Sequence, residues 1–218
     1  MTVKGEAKFG GNSYSGSLDM RLEGGSLVGK GSFNGNRNQY AVDADFTNFP
    51  VRAIMPLAPV DHLTAHVKAD GHGFDFLKAS TAVNADVNLG SVTYDGMTYR
   101  DITAQVNMNA GDVTARVNSN SPNCNLFMDA QGKIQGERYI FNVNGNIRDF
   151  DANALGFTDF PLNGTGEIAA FVDYDMRTKN CEFNADLNHI NWNYDGTQLV
   201  SENTELRFVS NDSTVEAF

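Results

Sequence analysis

Three histidines, His62, His66 and His72, share one parity of an alternating stretch, the arrangement in which imidazoles on a straight strand could hold a metal ion. No Cys or His motif of recognised metal spacing accompanies them, and Gly71-His72-Gly73 is expected to bend the chain, so they read as solvent-facing side chains. His189 stands alone and reads as a surface or strand-edge residue. Two carboxylates facing each other across a cleft would suffice for glycoside hydrolysis. Asp86 and Asp186 recur in equivalent contexts, however, and recurrence is what a structural role produces. Cys124 shares parity with Leu126 and Met128, and Cys181 with Phe183 and Ala185, so both thiols point to an apolar side as small hydrophobes. A disulfide between them stays open at this point. There is no nucleophile elbow, phosphate-binding loop or dinucleotide fingerprint. The residues predict a protein that is not an enzyme, with no metal and no cofactor. Trp192 is either an aromatic platform for a sugar or an anchor at a sheet edge. Asn163-Gly164-Thr165 and Asn211-Asp212-Ser213 match the glycosylation pattern only weakly.

The segments that would position these residues are written twice. Val83-Asn84-Ala85-Asp86-Val87-Asn88 returns as Phe183-Asn184-Ala185-Asp186-Leu187-Asn188, 100 residues on (84 to 184), and Tyr94-Asp95-Gly96 returns as Tyr194-Asp195-Gly196. A fixed spacing of self-similar segments marks a repeat architecture, which works through an extended surface. The spacing divides the chain into a partial repeat unit at residues 1–39, a unit at 40–138 and a second at 139–218.

Nearly every segment alternates apolar and polar with period two, the pattern of half-buried strands. Turn signals fall between the runs at Gly24-Gly25, Asn34-Gly35, Ala110-Gly111, Gln135-Gly136 and Asn163-Gly164, with Asp-Gly after Tyr94 and Tyr194. Short helical pieces are predicted at Pro50 to Leu57 and Asp151 to Leu155, the second capped by Asp151. The expected fold is all-β, a long antiparallel meander with only short helical turns. Each one-faced strand then needs a cover for its apolar side, and no long helix supplies one. Many apolar-face positions are Ala, which leaves room either for large residues of an opposing sheet or for an apolar ligand.

The net charge of −11 argues against nucleic acid and against docking on anionic membranes. No apolar run approaches the roughly 18 residues of a membrane span. No signal peptide follows Met1, and the repeat starts part-way through a unit, so the chain reads as an interior piece of a longer exported protein.

One order of elements is familiar. A strand pair leads to Asp151-Ala152-Asn153-Ala154-Leu155-Gly156 and Pro161-Leu162, then to a Gly-containing strand. Asn-Ala-Asp and Tyr-Asp-Gly strands follow, and Leu206-Arg207-Phe208-Val209-Ser210-Asn211-Asp212-Ser213-Thr214 closes the series. This resembles the periplasmic part of TamB-like (translocation and assembly module) proteins of the AsmA-like superfamily, in their Bacteroides-type versions, over about residues 10 to 218. The resemblance implies a sheet curled into a taco-like trough, or an elongated repeat sheet. It implies a periplasmic segment of a single-pass inner-membrane protein whose anchor lies outside this chain. The implied function is passage of phospholipid between the two membranes, support of outer-membrane protein assembly, or both. The implied partners are phospholipid acyl chains and, through a C-terminal region absent here, an outer-membrane barrel protein. The lining would be Leu63, Ala65, Val67, Val83, Ala85, Val87, Ile102, Ala104, Val106, Phe141, Val143, Ile168, Ala170, Val172, Phe183, Ala185 and Leu187. Two rival readings are a closed-core repeat serving as spacer or adhesion module, and a carbohydrate-binding β domain centred on Trp192.

Overall fold

The computed structural model describes residues 1–75, 78–211 and 214–217. Fourteen strands form a single sheet whose spatial order is the order of the chain, each antiparallel to the next. They are β1 (Thr2–Gly10), β2 (Ser13–Leu22), β3 (Gly25–Asn34), β4 (Gln39–Pro50), β5 (Val60–His72), β6 (Ala82–Tyr94), β7 (Met97–Asn109), β8 (Asp112–Ser121), β9 (Cys124–Gln135), β10 (Arg138–Asp151), β11 (Leu162–Asp175), β12 (Asn180–Tyr194), β13 (Thr197–Asn211) and β14 (Thr214–Ala217). Among the described residues β1 and β14 do not pair with each other, so the sheet does not close into a barrel. The chain is therefore all-β, a long antiparallel meander.

Period-two alternation makes the strands, and turns that mostly carry glycine end them. Asp95 and Gly96 have φ of 47° and 82°, and Asp195 and Gly196 have 45° and 81°. Positive φ at both central residues is the turn that matches strand twist, and Asp-Gly adopts it readily. The only helix among the described residues is a 3-10 turn, Val51–Ala53, shorter than the stretch to Leu57 that the sequence predicts. The second predicted piece is a single turn. Asp151 caps it by accepting a hydrogen bond from the Ala154 amide at 2.9 Å.

The repeat recurs in three dimensions. The β4–β5 register shifts between Phe46 and Phe49, and the β10–β11 register between Ile147 and Phe150. A second shift falls after Thr64 between β5 and β6, and after Thr165 between β11 and β12. Both irregularities return at one offset, 101 residues (46 to 147, 64 to 165). The amides of Asp95 and Asp195 donate to Pro59 and Pro161 carbonyls, each at 2.9 Å. Bulges bend a strand and raise its twist, so a repeated bulge repeats the bend.

Four local expectations change. Asn163-Gly164 lies inside β11 and not at a turn. At Gly164 a Cβ would come within 2.6 Å of the Asn191 carbonyl oxygen and 2.7 Å of the Trp192 indole. Trp192 itself is in β12, which has neighbours on both sides, so it is not at a sheet edge. The strand β5 runs straight through to His72, and the chain turns only at Gly73, with φ of 77°. Cys124 and Cys181 are free; each lies at the start of its strand, and β9 and β12 run in opposite directions, so the two stand at opposite edges of the sheet, Cys124 opposite Phe150 and Cys181 opposite Tyr174. Burial pushes the Cys124 thiol up, against a smaller opposing hydrogen bond from Ser119. Asp212 and Ser213 of the second glycosylation match lie outside the described residues.

Arg138 grips Asp173 with two hydrogen bonds, Nε to Oδ1 at 2.7 Å and Nη2 to Oδ2 at 2.5 Å. That contact holds the Asp173 carboxyl below the usual carboxylate range. A depressed native pKa contributes stability above the unfolded value, and the contribution is lost as pH falls through the native one. Asp173→Asn should therefore lower the urea midpoint slightly at pH 7. The gap to the parent should close in titrations carried below the ordinary aspartate range.

Candidate functional site

The ladder pairings carry one face of the sheet, residue by residue, across the molecule. Ala7, Gly16, Gly31, Val42, Ala69, Ala85, Val106, Ala115, Ala130, Val143, Ala170, Ala185 and Leu206 are successive cross-strand partners from β1 to β13. Every member of this row is apolar, and all before Leu206 are small. A parallel row passes through Leu18, Ala44, Val67, Val87, Ala104, Val117, Met128, Ile168 and Leu187. Another, nearer the β1–β2 turn, runs Phe9, Tyr14, Phe33, Tyr40, Gly71, Val83, Met108, Val113, Gly132, Phe141, Val172, Phe183 and Phe208.

All seventeen residues read from the sequence as lining stand on this face. Ala65 and Ala185 are buried, Val106 is exposed and the others are half-buried. Sequence reasoning stopped short of the face's full extent. It left out Leu18, Leu27 and Phe46 in the first strands, and Val117, Leu126 and Met128 in β8 and β9. Their alternation was visible. Glycines at positions 16, 29, 31, 132 and 145 interrupt the apolar parity and hide its continuity.

Large side chains on this face lie flat over glycines of the next strand. Tyr40 covers Gly71, Phe141 covers Gly132, Ile168 covers Gly145 and Trp192 covers Gly164. A ring laid over a glycine protects the backbone without standing up from the sheet. Bulk is thereby accommodated while the face stays shallow.

The opposite face is polar and laced across the strands. Gln105 donates to Asp86 at 3.0 Å, Asn144 to Asp129 at 3.3 Å, Asn146 to Glu167 at 3.4 Å and Asn203 to Asn188 at 2.8 Å. His66 meets Asp45 at 2.8 Å there, and His62 and His72 are exposed on the same side of β5. Among the described residues no group of three or more His, Cys, Asp or Glu is placed to hold a metal. Nor, among those residues, is any helix long and apolar enough to cross a membrane.

Two long connections fold onto the apolar face from opposite ends of the strands. The β10–β11 connection reaches back to β7, where Tyr99 donates to the Leu155 carbonyl at 3.3 Å and Met97 meets Gly156. Leu155 and Ala152 are buried by it. To reach β7 it must cross the ends of β9 and β8, which carry Cys124, Ser121 and Ser119. At the other end, Phe74 of the β5–β6 connection stacks on Tyr40 with centroids 5.1 Å apart and meets Phe33 at 5.9 Å. Non-periodic residues make both contacts, so alternation gives no sign of them.

No matching family model, curated protein or solved structure is found for the chain. Its surface area then carries the weight. A compact monomer of 23.8 kDa exposes about 9,900 Å². This chain exposes 13382 Å². The excess is that of a sheet without a second layer over its apolar face. Among the described residues only eight apolar ones are buried, and the largest fully buried side chain is Ser119. A filled sandwich core would have buried large aliphatic and aromatic groups.

Proposed function

We propose that this chain is a segment of a periplasm-spanning protein, anchored in the inner membrane, that conducts phospholipid along an apolar β trough toward the outer membrane. In the full-length protein the same trough, ending on an outer-membrane barrel partner, would also serve outer-membrane protein assembly. One observation supports the reading above others: an apolar row, half-buried or exposed at every member but Ala185, that runs across thirteen strands without a charge in it. Acyl chains bind such a surface without directional contacts, at about 0.8 kcal/mol per buried methylene. Interchangeable sites in a row let a chain slide, because no single step requires breaking a specific bond. The polar face, with its cross-strand amide and carboxylate pairs, keeps the outside in water.

A photo-crosslinking scan tests this. A photoreactive residue at Val42, Val106 or Val143 should capture phospholipid in cells expressing the natural protein. The same residue at Thr103 or Asn144, on the polar face, should capture none. Equal capture from both faces, or none from the apolar one, defeats the proposal.

A further inference from the structure

The apolar face has one depression where side chains are missing from its floor. Gly16, Gly29 and Gly31 form the base and Leu18, Leu27 and Phe46 flank it, leaving a shallow, open hollow of about 480 Å³. The register explains the hollow. Gly16 faces Gly31, and Leu18 faces Gly29, so one row lacks both side chains across β2 and β3 and the adjacent row lacks the one on β3. Toward the β3–β4 turn the next row is aromatic, with Phe9, Tyr14, Phe33 and Tyr40 as successive partners. Beyond it lie the turns Gly11–Asn12 and Gly35–Asn38, which hold Asn12, Asn36, Asn38 and a single cation, the exposed Arg37. The nearest acid on the neighbouring connection, Asp75, is paired with Lys78 at 3.1 Å.

Read along the strands, the order is cation and amides, then aromatic rings, then an apolar hollow. That is the order of a lipid leaflet, in which aromatic side chains sit between headgroup and hydrocarbon. The length agrees. From Phe33 to Leu27 is six residues of strand, roughly 20 Å. Half of a bilayer's hydrocarbon core is roughly 15 Å.

We propose that this depression is a defined seat for one phospholipid, lying along the strands with its phosphate at Arg37 and its acyl chains over the glycine floor toward Leu27 and Phe46. The inference rests on the lipid-conducting reading and adds to it a place, an orientation and a headgroup contact. Elsewhere lipid slides over the face, whereas here the chain lies lower and the phosphate is gripped by a charge-assisted hydrogen bond.

The test uses the 218-residue chain with vesicles of phosphatidylethanolamine and phosphatidylglycerol. The vesicles carry a trace of phospholipid photoreactive either in its headgroup or at its tail end, and adducts are mapped by peptide mass spectrometry. Tail adducts should fall on the peptides of Leu27 and Phe46, and headgroup adducts on the Gly35–Asn38 turn. Gly31→Leu should cut tail adducts there about tenfold while leaving those around Val143 and Ala170 unchanged. An added Cβ at Gly31 meets only the Ala41 carbonyl, at 3.4 Å, an ordinary contact, so the variant should fold. Val42→Phe, at the exposed position opposite Gly31, fills the same hollow and serves if it does not. Arg37→Glu should reduce headgroup adducts about tenfold. Labelling around Val143 that never reaches Leu27, an unaltered pattern in both filling variants, or headgroup adducts indifferent to Arg37→Glu would each overturn the seat alone. An apolar face unlabelled throughout would overturn the lipid-conducting reading with it.

Discussion

Val106→Glu should abolish lipid capture by the natural protein while the sheet remains folded. Val106 sits mid-row on the apolar face and is 36% exposed, so a glutamate there keeps its carboxylate in water. The folding cost is that of an exposed strand substitution, about 1 kcal/mol or less. Its effect on an acyl chain is far larger. Any lipid crossing this point must strip water from an ionised carboxylate with nothing to replace it, a penalty of at least about 3 kcal/mol, or roughly a hundredfold in occupancy. Thr103→Glu adds the same charge on the other face of the same strand and should leave capture unchanged. Ala185→Glu is the contrasting case. Ala185 is 3% exposed between Ala170 and Leu206, so the same charge there would be buried and should destabilise the sheet by about 3 kcal/mol or more. Native mass spectrometry for bound lipid, read beside urea unfolding, separates the two. Undiminished lipid in folded Val106→Glu would remove the proposed path.

The second large effect concerns the flattened rings. Gly132→Val should destabilise the chain by at least about 3 kcal/mol in urea unfolding, because a Cβ at Gly132 runs into the Ile140 carbonyl oxygen and the Phe141 ring. Both are fixed, one by the ladder and the other by lying across the glycine, so neither yields cheaply. The same substitution at Gly31, on the same face, meets only a carbonyl at 3.4 Å and should be neutral or mildly stabilising through strand propensity. Similar losses at both glycines would mean that glycine is required for its backbone conformation and not for the space it leaves.

Strand identity, the antiparallel order and the apolar parity were legible because each is written locally. The alternation at Leu63, Ala65 and Val67, the Asp-Gly turns and the doubled Asn-Ala-Asp segment are properties of a few adjacent residues. What depends on two distant segments was not legible. Asn163-Gly164 has turn composition, but it is laddered to Asn193 and Trp192, one strand over. Leu155 and Phe74 have no period: the burial of Leu155 comes from crossing onto β7, and the ring contacts of the exposed Phe74 from reaching β3 and β4. The position of each bulge follows the same rule. Only pairing shows that the shift after Thr64 returns after Thr165. Within the candidate site, the seventeen residues named from the sequence share one face of the sheet. It missed the glycine-floored depression, because an absence of side chains does not register as an apolar signal.

A sheet in which each strand is bonded only to its predecessor and successor in the chain has a mechanical character of its own. Tension applied at its two termini loads the ladders from the outside inward, with no central clamp to hold the whole together. Stretched between two anchoring points, such a ribbon would shed hairpins singly and re-zip them from whichever portion stayed intact. Thermal breathing that widened the gap between those anchors would then be absorbed at the margins, leaving the middle strands in register.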